Sequence, residues 1–274
     1  MGEARLTERL EVSLNTPAGQ CTSSIEVPTT FVPVAALVQP MRRLGEEALA
    51  LEEQKTLAAG KTISCRMGCA ACCRMLVPIS APEAFALKET IGRLPPQRRQ
   101  ALSQRMAQTR SRLEQAGLLA RLTEIAETER QRTDEEFDAI NRDYYALRVP
   151  CPFLDNEVCS IYEDRPAACR ELLVTTPAEL CQDITANPVH PIPVAVRMST
   201  VLALLWADVT GGPARLIPLP LALEWADRHT ADGHNTWPGA QLLEKALDKV
   251  WQILNDAFHD RAHQPSGQLP PKPA

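Results

Sequence analysis

The sequence is poor in glycine and histidine, with 12 and 5 among its 274 residues, and only 4% of it is aromatic. Among so few glycines no G-x-G-x-x-G and no Walker loop occurs, which argues against a bound nucleotide. His259 and His263 have the spacing of two helical metal ligands. However, "HDRAH" lacks the glutamate of H-E-x-x-H, and the pair reads as a solvated helix end. Long hydrophobic runs are missing too: the most apolar stretch, Val194 to Val209, covers sixteen residues and carries Arg197 and Asp208, too short and too charged to span a bilayer. The first residues show no pattern of a secretory signal, and Leu6 stands where a myristoylation motif wants Ser or Thr. A formal charge of -5 argues against general nucleic-acid binding. The expectation is a soluble cytoplasmic protein without a membrane or nucleic-acid partner.

Cysteine is what the sequence has in quantity. There are nine, and eight of them fall into two groups of four. Cys65, Cys69, Cys72 and Cys73 lie in "SCRMGCAACCRMLVPIS"; Cys151, Cys159, Cys169 and Cys181 follow after a long interval. In a reducing compartment such clusters point to metal binding or redox chemistry rather than to disulfides. Cys21 stands apart and reads as a small buried hydrophobe.

Two local conformations would gather the first group. A helix over 65–73, turning about 100° per residue, would put all four thiols on one side. A loop entering a helix, with its turn at Gly68, would also do so. In the second group, "CPFLDNEVCSIYEDRPAACREL", Asp155-Asn156 suits a turn that brings Cys151 toward Cys159. Pro166 fits a first helical turn, with Cys169 one turn inside. Soft thiolates select zinc, cuprous copper or an iron–sulfur cluster over hard cations. Such a site accumulates negative charge, and Arg66, Arg74, Arg165 and Arg170 flank the cysteines closely enough to offset it.

"CRMGCAACC" followed by "CPFLDNEVCSIYEDRPAACR" resembles the cysteine-cluster family of YkgJ type, described as zinc- or iron-chelating. The resemblance covers residues 65 to 181. It implies metal ligation by Cys65, Cys69, Cys72, Cys73, Cys151, Cys159 and Cys169, with Cys181 as an eighth ligand. It also implies kinship with proteins labelled iron–sulfur oxidoreductases. Cys65, Cys69 and Cys72 also reproduce the C-x3-C-x2-C spacing of radical S-adenosylmethionine enzymes. That fold requires alternating strands and helices, which this chain does not offer.

Along the chain, Leu10, Val12 and Leu14, then Ile25 and Val27 across "NTPAGQ", predict a short N-terminal β-hairpin. Met41, Leu44, Ala48 and Leu51 have the helical period, with Pro40 near the start. Ser80 with Glu83, and Thr133 with Glu136, are capping boxes, the first opening a helix to about Gly92. A helix over 97–117 carries Leu102, Met106 and Leu113 on one face. "ITANPVHPIPVAV" predicts an extended connector. Helices then follow over about 195–209, 220–229 and 238–258, the last with Leu243, Leu247, Val250 and Leu254 in a core-facing stripe.

The six arginines between Arg93 and Arg112, followed by nine acids between Glu114 and Asp143, predict two helices with complementary faces. The fold expected is mainly α, an irregular helical domain with a cysteine-cluster metal knuckle. Its units are an extended segment or hairpin over 1–35, a metal-binding helical domain over 36–185, a C-terminal helical region over 186–260 and a disordered tail over 261–274. Three functions fit: an iron–sulfur oxidoreductase or electron-transfer protein with a redox partner, a zinc-stapled module that binds another protein, or an enzyme modifying macromolecules at its metal centre.

Overall fold

The computed structural model describes residues 7–128, 134–184 and 186–263. Thr133 of the second capping box and the tail beyond 263 lie outside them, as do the side chains of His259 and His263. The fold is mainly helical, with strands in short antiparallel pairs.

Strands β1 (Thr7–Thr16) and β2 (Gly19–Pro28) form the hairpin, longer than its apolar alternation announces. Val12 and Leu14 on β1, and Cys21, Ile25 and Val27 on β2, are buried; Leu10 is exposed. After the three-residue strand β3 (Phe31–Pro33) comes helix α1 (Val38–Ala58), which tolerates Pro40 because the first turn has no intrahelical acceptor for its missing N–H. It buries Met41, Leu44 and Ala48, the predicted face.

The first cysteine group takes the loop alternative. Residues 61–70 are irregular, Gly68 has φ +86°, and a single 3-10 turn runs from Ala71 to Arg74. Strand β4 (Pro78–Ser80) then leads into α2 (Ala81–Gly92), opened by the capping box and ended where the sequence predicted. Helix α3 (Pro96–Gln115) stops at Gly117, whose left-handed φ of +70° breaks the chain and starts α4 (Leu118–Glu127). The sequence reading had merged α4 with its acidic surroundings. Helices α3, α4 and α5 (Asp134–Ala146) bury Leu113, Leu118, Leu122, Ile140 and Tyr144 in a small core of their own.

A minimal hairpin, β5 (Leu154–Asp155) with β6 (Val158–Cys159), carries Cys159 of the second cysteine group and follows directly on Cys151. Its turn residues are Asn156 and Glu157, both at positive φ, one position later than Asp155-Asn156. Helix α6 (Ala167–Arg170) is a single turn with Pro166 as its N-cap rather than inside it. The proline-rich part of the connector, 188–194, runs extended beside 173–175, joined by Thr175 N–H to the His190 carbonyl at 2.9 Å and Ile192 N–H to that of Leu173 at 2.9 Å.

Helix α7 (Met198–Thr210), strand β7 (Leu216–Pro218), α8 (Ala222–Arg228), α9 (Thr230–Gly233), β8 (Thr236–Pro238) and α10 (Gly239–His263) complete the chain. Strand β7 pairs with β4, and β8 with β3. These pairs closed unannounced because three-residue strands bounded by proline show no alternation. One core unites β1, β2, α1, α2, α7, α8 and α10 around Leu14, Leu44, Leu202, Trp225 and Val250. Among the described residues no helix is long and apolar enough to cross a membrane.

Gly239 marks the tightest backbone approach in this core, since a Cβ there would lie 2.2 Å from the Pro28 carbonyl oxygen. Gly239→Ala is expected to lower stability by about 1–3 kcal/mol through overpacking, read from the denaturant midpoint.

Candidate metal centre

Three connections bring the two cysteine groups together. The Cys151 N–H donates to the Cys73 carbonyl at 2.7 Å. Arg74 reaches across to Glu157 at the tip of the β5–β6 turn, 2.6 Å away. Glu83 does most: one carboxylate oxygen accepts from Ser80 N–H at 2.8 Å and Ser80 Oγ at 2.7 Å, and the other from Ala167 N–H at 2.9 Å. A single buried glutamate thus caps α2, which follows the first group, and α6, which carries Cys169. Glu171 repeats the device, accepting from Met198 N–H at the start of α7 at 2.8 Å. Burial pushes its pKa up to about 7, against the pull of that N–H.

The result is a cavity of about 260 Å³ lined by Cys69, Cys72, Cys73, Cys151, Cys159 and Cys169. Its remaining wall is largely apolar, including Met75, Leu76, Phe153, Ile161 and Leu219, and it contains no carboxylate. Cys65 and Cys181 are not in that wall; both neighbour Cys69 and Cys72 instead. The Cys65 sulfur accepts from Val174 N–H at 3.3 Å and lies 3.8 Å from the Leu172 carbonyl. Cys21 is buried on the hairpin, where burial and Glu47 raise its pKa, away from the other eight in its electrostatic surroundings.

Cys72 is the junction. A hydrogen bond with the Cys73 thiol, then burial, holds it strongly protonated. It lies within electrostatic range of Cys65, Cys151, Cys159, Cys169 and Cys181, so it borders both groups. Burial, followed by neighbouring thiols, pushes Cys151 up to about 12 and Cys169 well above its ordinary value. Buried thiols packed together resist ionisation unless a cation shares their charge. Cys73 does not turn away from the cluster, since it lines the cavity. Among the described residues no three Cys, His, Asp or Glu side chains close as a ready-made ion site. The arrangement is a thiol-lined cavity and not the compact knuckle the sequence predicted.

The four flanking arginines part company. Arg165 lines the cavity, stacks on Tyr162 with its guanidinium 3.7 Å from the ring centroid, and favours the thiolate forms of Cys72 and Cys159. Arg170 also favours the Cys159 thiolate but is paired with Glu46 at 2.6 Å. Arg74 is committed to Glu157, and Arg66 is exposed on the loop. Arg197, which the sequence reading passed over as a mere interruption of an apolar run, lines the cavity. No local signal could have found it, because it arrives from the start of α7.

The arginines of α3 serve the same region from outside. Arg98 donates to the Ser160 carbonyl at 2.9 Å, and Arg105 to that of Pro152 at 2.9 Å while pairing with Asp155 at 3.3 Å. Arg110 instead pairs with Glu224 on α8. Within residues 114–143, Arg121 and Asp143 pair with each other. Arg105→Ala is expected to cost about 1 kcal/mol and to speed amide exchange at Leu154, since a carbonyl and a carboxylate both lose their donor.

A family model described as "Putative zinc- or iron-chelating domain", with the cysteine pattern CxxCxxCC, matches residues 64–183. That segment is similar to the domain of this family. The chelating domain departs from the family's written pattern in one respect, with three residues rather than two between Cys65 and Cys69. Its matched bounds enclose all eight clustered cysteines, Cys181 included. No curated protein and no solved structure matches the chain. The match supports metal binding by this segment, which is set against helices α7 and α8 outside the match.

Proposed function

We propose that the thiol cavity of the chelating domain holds an iron–sulfur cluster and serves electron transfer within an oxidoreductase. The observation that carries this reading is that six thiols from both cysteine groups line one cavity without a carboxylate. The donor chemistry fits: thiolates are the ligands of iron–sulfur clusters, and the cavity supplies the four that one cluster takes. When bound, such a cluster supplies one-electron transfer at a potential set by its charge, hydrogen bonds and exposure. The chain's own residues would hold and tune it. Cys72, Cys151, Cys159 and Cys169 form the inner donor set, with Cys69 and Cys73 beside them and Cys65 and Cys181 in reserve. Arg165 and Arg170 offset the thiolate charge, and the apolar wall keeps water out.

The test is purification without air followed by a visible spectrum and assays for iron, sulfide and zinc. A brown protein absorbing near ~400 nm with iron and sulfide in equal amounts is expected. A colourless protein with stoichiometric zinc and no iron would replace this reading with a zinc-stapled interaction module.

A further inference from the structure

The cavity has more wall than thiols require, and its charged lining consists of two guanidiniums, Arg165 and Arg197. They differ in what they face. Arg165 stacks on Tyr162, and its Nε donates to the Tyr162 carbonyl at 3.1 Å. Arg197 is exposed on the side away from its lining contact, and its guanidinium makes no hydrogen bond or ion pair among the described residues. The Glu171 carboxyl is already engaged by Met198 N–H at 2.8 Å. Arg197 also stands at the N-cap of α7, so the partial positive charge of that helix end adds to its own. Nearby arginines are committed, Arg74 to Glu157, Arg170 to Glu46 and Arg105 to Asp155. An arginine left unpaired beside apolar Met75, Leu76, Phe153 and Leu219 has the makings of a ligand anchor.

We infer that this cavity admits a small organic anion, a carboxylate with an apolar body, which lies beside the metal centre with its charged end on Arg197. The inference rests on the reading of the cavity as the metal site. It assigns different roles to the two arginines: Arg165 belongs to the centre, and Arg197 belongs to the ligand. The apolar wall would hold the body of the molecule, and the bidentate fork of Arg197 would select a carboxylate over its uncharged amide.

The probe is 3-phenylpropanoate, titrated calorimetrically into metal-loaded and metal-free full-length protein, with 3-phenylpropanamide as the uncharged comparison. Metal content is measured first in every sample. Binding of the carboxylate at least tenfold tighter than the amide is expected, with a visible-band shift in the loaded protein. Arg197→Gln is expected to remove that preference while keeping its metal, Arg197→Lys to restore part of it, and Arg165→Gln to lower metal content instead. Equal binding of carboxylate and amide, no binding of either, or loss of metal in Arg197→Gln equal to that in Arg165→Gln would overturn the inference. A wild-type protein that takes up no metal yet prefers the carboxylate through Arg197 would sink the metal reading and leave the anion site standing.

Discussion

Cys72→Ser is expected to lower the metal retained per chain at least tenfold, with Cys21→Ala close to wild type. The asymmetry follows from position. Cys72 is the thiol within electrostatic range of Cys65 and Cys181 as well as Cys151, Cys159 and Cys169. Removing it takes a donor from the point where the groups meet, and serine offers a harder oxygen that thiophilic metals disfavour. The tenfold figure is a lower bound, since loss of mere outer partners of a metal ligand costs about 10–100-fold in affinity. Cys21 contributes only packing, being buried in the hairpin among apolar neighbours. Metal analysis after desalting, with the far-ultraviolet circular dichroism of each variant as a check on folding, gives the comparison.

Glu83→Ala is expected to have the second large effect, a loss of about 3 kcal/mol or more in stability together with reduced metal retention. Three donors lose their acceptor at once: Ser80 N–H, Ser80 Oγ and Ala167 N–H. Hydrogen bonds to a charged acceptor contribute about 1.5–3 kcal/mol each, and an N-cap about 1 kcal/mol, without simple additivity. The unpaired N–H groups would be buried, so water offers little relief. Glu83→Gln keeps one carbonyl acceptor but turns an NH2 toward the remaining donors, and should fall between wild type and alanine. A purely local cap would affect α2 alone. Here amide exchange should also accelerate at Cys169 and Arg170, because α6 hangs from the same carboxylate.

What the sequence disclosed depended on how local each feature was. The Ser80–Glu83 box, the end of α2 at Gly92 and the apolar face of α1 are written within a few residues, and each was legible. The extended course of residues 188–194 followed from proline. The second role of Glu83 was not legible, since its partner Ala167 lies 84 residues away. For the same reason the hold of Arg98 and Arg105 on the segment around Ser160 and Pro152 was not legible. Helix α4 escaped notice because the predicted helix ended at residue 117 and the stretch beyond it was read by its acids alone. The two cysteine groups could be seen in the sequence as belonging to one constellation. Which thiols share a cavity could not, because that depends on where a hairpin turn, a 3-10 turn and a one-turn helix meet.

The most direct test of the central claim, that both cysteine groups serve one centre, is metal stoichiometry in two paired variants purified without air. One carries Cys72→Ser with Cys73→Ser, and the other Cys151→Ser with Cys159→Ser. A shared centre predicts that each pair alone reduces iron and zinc to background in a folded protein. Retention of about half the wild-type metal by each variant would contradict it and would mean two independent sites.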